Sequence, residues 1–178
     1  MSALEWDELR LAPRWVERGL RWRPETAEDL PFLRGLFVEA RWEEFRSLPW
    51  DDAGKRAFLE QQFDFRNRHY RQCYATAFFG IVERNDRPVG RLCVVDDGAD
   101  VSVVDIALIA EWRNSGWGRF LLEAVQSFAA AHGKGVVLQV EQHSRAGRLY
   151  ERLGFVAAGQ QGPYRAMRWC AAGDVSAT

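Results

Sequence analysis

The chain is predicted to fold as one mixed α/β (α+β) domain, a mostly antiparallel sheet of about six or seven strands with about four helices packed on it. Three observations carry this. Residues 75–110 hold three apolar stretches separated only by the tight-turn signals Asn85-Asp86 and Asp97-Gly98, the pattern of directly joined, antiparallel strands. The third stretch, ending at Ile109, is followed by an amphipathic segment and then by Val136 to Val140; a helix between two strands makes them parallel. Two short strand-like runs, Phe155 to Ala158 and Tyr164 to Trp169, close the chain as a hairpin.

In chain order, residues 1–18 carry Trp6, Leu9 and Trp15 without a clear period. They read as an N-terminal extension, either a short helix docked on the domain through these side chains or a mobile arm, with weak order expected before about residue 18. Residues 19–170 form the domain. Leu20 to Arg23 is its first strand, and Pro24-Glu25-Thr26 turns the chain. Thr26 with Asp29 three residues on resembles a capping box. The helix that follows places Leu30, Leu33, Leu36, Phe37 and Ala40 on one side, a helical spacing. Asp51-Asp52 opens a second helix to about Arg71, with Phe58, Leu59, Gln62 and Phe63 inward and an arginine-rich outer face. The three strands are Thr76 to Glu83, Val89 to Val95 and Val101 to Ile109. After the crossover helix, Gly133 and Gly135 signal a stop. A short helix spans about Ser144 to Leu153, closed by Gly154, and residues 171–178 are a small, polar tail.

Composition narrows the function. The chain has 178 residues, 47% of them hydrophobic, and a net charge of −1. That suffices for one real core, and near-neutral charge gives no electrostatic case for nucleic acid. The cysteines Cys73, Cys93 and Cys170 have no metal-ligand spacing, so neither a metal site nor a disulfide framework is expected, and buried reduced thiols fit a cytoplasmic protein. No apolar run approaches the roughly 20 residues of a membrane span, and no signal-like segment opens the chain.

The chemistry concentrates between Asp105 and Ala131. An apolar strand runs into Arg113-Asn114-Ser115-Gly116-Trp117-Gly118, and then a helix carries Phe120, Leu121, Val125, Phe128 and Ala129 at three- and four-residue spacing. Asn114 and Ser115 suit an N-cap. The first N–H groups of a helix lack internal partners and the helix dipole adds roughly half a positive charge there. With Arg113 and Arg119 flanking the turn, the expected ligand is a phosphate or diphosphate. No Gly-Lys-Ser/Thr follows, which excludes a Walker loop. A dinucleotide fingerprint fits Gly116 and Gly118, with Glu141 about 20 residues on as the ribose acid, but Leu121 stands where its third small residue belongs and the preceding strands are hairpins.

Arg113-x-x-Gly116-x-Gly118 after an apolar strand resembles the coenzyme A-binding motif of the GNAT superfamily of N-acetyltransferases. Downstream, Ala146-Gly-Arg-Leu149-Tyr150-Glu-Arg-Leu-Gly154-Phe155 resembles the same superfamily's A-x-x-L-Y-x-x-x-G-F segment. The resemblance implies a splayed parallel strand pair with acetyl-CoA wedged between, as co-substrate, and no metal. The pantetheine would pair with the backbone of Leu108, Ile109 and Ala110. The diphosphate would lie on Arg113, Asn114, Ser115, Gly116, Trp117, Gly118 and Arg119. A strand bulge near Ala110 would free N–H groups, the one around Ile109 serving as oxyanion donor. The reaction implied is direct acetyl transfer to a primary amine of a small molecule or peptide.

Tyr150 occupies the superfamily's tyrosine position and is the candidate acid for the leaving thiolate. The base that takes the amine proton is left open between Asp105, on the strand before the turn, and Glu141, ending the next. His143 stands where many family members have a coenzyme-contacting Asn. Glu39, Glu43, Glu44, Trp42, Phe45 and Trp50 cluster between the first two helices and suit a cationic acceptor as well as a solvated helix face. A non-catalytic acyl-CoA-binding module of the same fold is the alternative. Eight tryptophans, with aromatics near the N-terminus, leave a homodimer open.

Overall fold

A computed structural model describes residues 6–142 and 144–171. Helices α1 (Trp6–Arg10) and α2 (Pro13–Val16) precede strand β1 (Leu20–Pro24). Helices α3 (Leu30–Arg41) and α4 (Asp52–Cys73) follow, then β2 (Phe78–Arg84), β3 (Arg87–Asp96) and β4 (Asp100–Leu108). Helix α5 (Trp117–Ala131) leads to β5 (Gly135–Glu141), and α6 (Ala146–Arg152) to the hairpin β6 (Val156–Gln161) and β7 (Tyr164–Trp169). All seven strands form one sheet, in the order β1-β2-β3-β4-β5-β7-β6. This is the mixed sheet expected, with β4 and β5 the single parallel pair.

Local chemistry sets the connections. Asn85 and Asp86 sit at φ of 49° and 60°, two successive left-handed residues whose twist suits a two-residue hairpin. The Thr26 N–H donates to the Asp29 carboxylate at 2.8 Å, and the capping box is complete. Asp51 caps α4 by accepting from the Gly54 N–H at 2.7 Å. Gly133, at φ 65°, ends α5: its N–H donates to the Ala130 carbonyl at 3.1 Å and that of Lys134 to Ala129 at 2.9 Å, the left-handed stop that favours glycine.

Adjacent residues of β2 show how the sheet divides two cores. Val82 packs into the cluster built on α5 and the N-terminal helices, whereas Ile81 packs with Leu33 of α3 and Phe63 of α4, because successive strand side chains point to opposite faces. The loose order expected before residue 18 is corrected for residues 6–18. Leu9 is buried, and Trp15 is wholly enclosed, stacked on Trp22 at 5.9 Å and edge-on to Phe120 at 5.7 Å. Enclosing such a side chain stabilises by about 3 kcal/mol, enough to dock two short helices that would not persist alone. Among the cysteines, Cys93 is buried as expected, but Cys73 is exposed; all three are free thiols.

One interruption positions the site. β4 and β5 pair only from Asp100 with Gly135 to Val103 with Leu138. Beyond that β4 stays with β3, as far as Leu108 opposite Gly90, and β5 stays with β7, as far as Glu141 opposite Tyr164. The two strands therefore part, leaving a gap. The bulge lies at Val104, between Val103 and Asp105, six residues before the expected place near Ala110. An extra residue there bends β4 and breaks its alternation, which coincides with the point where β5 departs.

Candidate active site

A cavity of about 1190 Å³ opens at the parted strands. β4 contributes Val104, Asp105 and Ala107; β5 contributes Gln139, Val140 and Glu141; α6 contributes Tyr150. Phe37 and Arg41 of α3 and Phe58, Arg66 and Tyr70 of α4 form the opposite wall. The three residues proposed for proton chemistry from the sequence, Tyr150, Asp105 and Glu141, thus line one space.

Their environments differ. Tyr150 is buried, with its ring edge-on to Phe155 at 5.9 Å. Burial, with the Asp105 carboxylate adding to it, pushes the phenol up to about 12, so it is protonated at any neutral pH. Asp105 is clamped: one oxygen accepts from Arg66 at 2.7 Å and the other from Arg91 at 3.1 Å. Arg91 in turn donates to Glu25 at 3.1 Å and to Asn67 at 2.8 Å, and Arg71 closes the network on Glu25. Two charge-assisted bonds make Asp105 a structural counter-ion first. Glu141 is half exposed and, among the described residues, its carboxylate meets the edge of Arg41 at 3.4 Å.

None of residues 108–119 lines this cavity. They form the adjoining turn, and the structure revises their parts. The Ile109 N–H donates to the Val89 carbonyl at 3.0 Å, so it is not free as an oxyanion donor, and its side chain packs on the main core instead of sharing the Asp105 face. The Leu108 carbonyl accepts from Arg113 Nε at 2.7 Å. The Ala110 N–H donates to Glu39 at 3.1 Å, and the other Glu39 oxygen lies 3.5 Å from Arg113. The backbone of Leu108 to Ala110 is therefore internally bonded, with the Leu108 carbonyl and the Ala110 N–H held by side chains, those of Arg113 and Glu39.

The helix cap also differs. Gly116, not Asn114 or Ser115, caps α5, at φ 88°. Asn114 takes a left-handed turn position at φ 56°, and the Ser115 hydroxyl donates back to the Trp112 carbonyl at 2.7 Å. Two left-handed residues in one turn need Gly and Asn, which tolerate that conformation. The first bond within α5 runs from the Phe120 N–H to the Gly116 carbonyl; by helix geometry the N–H groups of Trp117, Gly118 and Arg119 precede it without intrahelical partners. Trp117 stacks on Trp112 at 4.6 Å, with the Arg84 guanidinium over both rings, which stiffens the turn. Arg119 pairs with Glu123 at 2.7 Å. His143 lies outside the described residues.

Sequence reasoning missed Arg66, Tyr70 and Arg41. The signal for the first two was present: continuing the inner face of α4 from Gln62 and Phe63 reaches Arg66 and then Tyr70 at helical spacing. The acidic cluster read as a cation site is neutralised. Glu44 accepts from Arg41 at 2.9 Å, Glu43 lies 3.3 Å from Arg46, and Glu39 is engaged at the turn.

A sheet parted at its one parallel pair, with a glycine turn at the head of the crossover helix, defines an acyltransferase fold of the coenzyme A-dependent class. Residues 37–155 match the sequence model of the acetyltransferase (GNAT) family, and the chain belongs to that family. Similar structures support the same fold. PaiA N-acetyltransferase of Thermoplasma acidophilum, solved with coenzyme A, is 15% identical with a TM-score of 0.64, over 85% of this chain and 99% of that one. PH1933 of Pyrococcus horikoshii is 17% identical with a TM-score of 0.63, over 85% and 98%. A histone acetyltransferase HPA2-related protein of Corynebacterium glutamicum is 22% identical with a TM-score of 0.58, over 89% and 99%. No curated protein matches the chain in sequence. Among the described residues, no helix is long and apolar enough to cross a membrane.

Proposed function

We propose that the protein is an acetyl-CoA-dependent N-acetyltransferase that passes the acetyl group directly to a primary amine of a small molecule or peptide. The observation that carries this is the parting of β4 and β5 at Val104, with Tyr150, Asp105 and Glu141 around the gap. Pantetheine would enter along the edge of β4 that β5 abandons, and the diphosphate would rest on the N–H groups of Trp117, Gly118 and Arg119. Gly116 keeps the approach clear, since a Cβ there would meet nothing within 4 Å. Displacing Glu39 would release Ala110 N–H and Arg113 to the coenzyme.

The amine nitrogen attacks the thioester carbonyl carbon; the C–N bond forms, the C–S bond breaks, and coenzyme A leaves as the thiolate. An alkylamine is neutral in only about one molecule in 2,000 at pH 7, a deficit of about 4.6 kcal/mol. Both Asp105 oxygens are engaged by arginines, whereas Glu141 is half exposed with one contact at 3.4 Å. We therefore assign proton acceptance to Glu141, directly or through water, and assign Asp105 to holding Arg66 and Arg91. Tyr150 donates a hydrogen bond to the departing sulfur.

Thiol release measured with acetyl-CoA and a panel of amines tests the proposal. Amine-dependent release is expected. Acetyl-CoA binding by calorimetry with no release from any amine would make the protein a binding module instead.

A further inference from the structure

We infer that the acceptor is a primary amine on an uncharged aromatic body, and not a polyamine; this rests on the transferase reading above. Two independent features of the cavity support it. The first is its wall. Phe37, Phe45, Phe58, Tyr70 and Tyr74 are half-buried and line the space. Their ring contacts fall in two groups: Phe45 meets Phe58 at 5.6 Å, with exposed Trp50 edge-on to Phe58 at 5.4 Å, and Tyr70 meets Tyr74 at 6.0 Å further along α4. Phe37 and Tyr70 already carry the Arg66 guanidinium, so the Phe45 and Phe58 end of the cavity is the aromatic surface that a flat apolar body would cover.

The second is charge. Arg41, Arg66 and Arg91 line the cavity, and so do Glu44, Asp105 and Glu141. Three arginines balance three acids: Arg41 is shared by Glu44 and Glu141, and Arg66 and Arg91 both hold Asp105. Arg66 itself lies over the Tyr70 ring at 4.9 Å and the Phe37 ring at 5.6 Å, which fixes it against the wall. A polyamine would bring further ammonium groups into a space whose three lining acids are already balanced by three arginines, and a buried unmatched charge is strongly disfavoured. A single amine beside Glu141, trailing a neutral ring, leaves the network intact. The cavity, about 1190 Å³, holds such a body together with the acetyl end of the coenzyme.

The test compares 2-phenylethylamine with spermidine as acceptors, by kcat/KM at saturating acetyl-CoA and by calorimetry on the protein loaded with coenzyme A. Phenylethylamine is expected to be preferred at least tenfold. Tyr70→Ala should raise its KM by roughly two- to tenfold, the scale of one lost aromatic contact, with the KM for acetyl-CoA unchanged; Phe58→Leu, which keeps the apolar volume, should do the same less strongly. Preference for spermidine would overturn the inference and leave acetyl transfer standing. Binding of neither amine, with thiol release from another amine of the panel, would also overturn the inference and leave acetyl transfer standing. No release from any amine would overturn acetyl transfer, and the acceptor inference with it.

Discussion

Replacing Tyr150 with Phe isolates one hydroxyl. The ring that meets Phe155 at 5.9 Å is retained, so packing is preserved and the melting temperature should hardly move. The size of the kinetic effect follows from the acidity of the phenol. Burial and Asp105 push it up to about 12, whereas a thiolate leaving group has a pKa of about 8.5. Complete transfer of the proton would run uphill by about 5 kcal/mol. In the proposed reaction Tyr150 would therefore act as a hydrogen-bond donor to developing charge on sulfur, not as a full proton donor. Such a bond to a charged partner contributes about 1.5 to 3 kcal/mol, so kcat should fall roughly 10- to 150-fold. The KM for acetyl-CoA should change little, because the bond strengthens only as the C–S bond breaks. The phenol is neutral below about 12, so the alkaline side of the kcat profile should be the same in both proteins. Steady-state rates by thiol release, from pH 6 to 10, check this. A variant with kcat within twofold of the parent would refute Tyr150 as donor.

The coenzyme turn, the sheet and the first cap each offer a further test. Glu39→Ala removes the carboxylate from Ala110 N–H and Arg113; as Glu39 is half exposed, acetyl-CoA should bind about two- to fivefold more tightly, and unchanged or weaker binding by calorimetry would count against Glu39 as an occupant of the turn. Gly80→Ala would place its Cβ 2.0 Å from Trp22 Nε1, a clash with a wholly buried ring that should cost about 3 kcal/mol and lower the melting temperature by roughly 6 to 12 °C. Asp29 is gripped by both Arg23 nitrogens at 2.7 Å, and this, reinforced by Thr26 against the opposing effect of burial, holds its carboxyl down at about 2. The stabilisation is complete above the ordinary carboxylate range and is lost as pH falls toward 2. Asp29→Asn should therefore cost on the order of 2 kcal/mol at pH 7 and progressively less in acid, read from melting curves; a constant difference down to pH 2 would refute the linkage.

Secondary structure was legible wherever one residue type leaves one local choice. Asn85-Asp86 dictated a hairpin, Thr26 with Asp29 a cap, and Gly133 and Gly154 helix ends, because each depends on atoms a few residues apart. The parallel pairing of β4 and β5 followed from the helix between them. The docking of α1 and α2 did not, since it depends on Trp15 meeting Trp22 and Phe120, residues brought together only by the finished sheet. The bulge at Val104 was equally hidden: Val103-Val104-Asp105 has no glycine to mark it, and the irregularity arises from β4 keeping register with β3 while β5 turns away.

For the site, the motif identified which residues gather but not what each is bonded to, and that distinction decides their chemistry. Asp105 and Glu141 look alike in sequence, two acids on neighbouring strands. Arg91, 14 residues before Asp105, and Arg66, 39 before it, convert the first into a counter-ion. Arg41, 100 residues before Glu141, touches the second only at its edge. Partners at such separations have no local spacing to reveal them, and a carboxylate with both oxygens engaged by arginines is less available to a ligand than one with a free oxygen. The same holds for the acids of α3 and the turn after it. As a linear cluster they advertise a cation site; once each is matched by an arginine, what remains exposed to a ligand is the aromatic wall. In the proposed reaction, acceptor choice would follow from that pairing, which favours one amine on a neutral body.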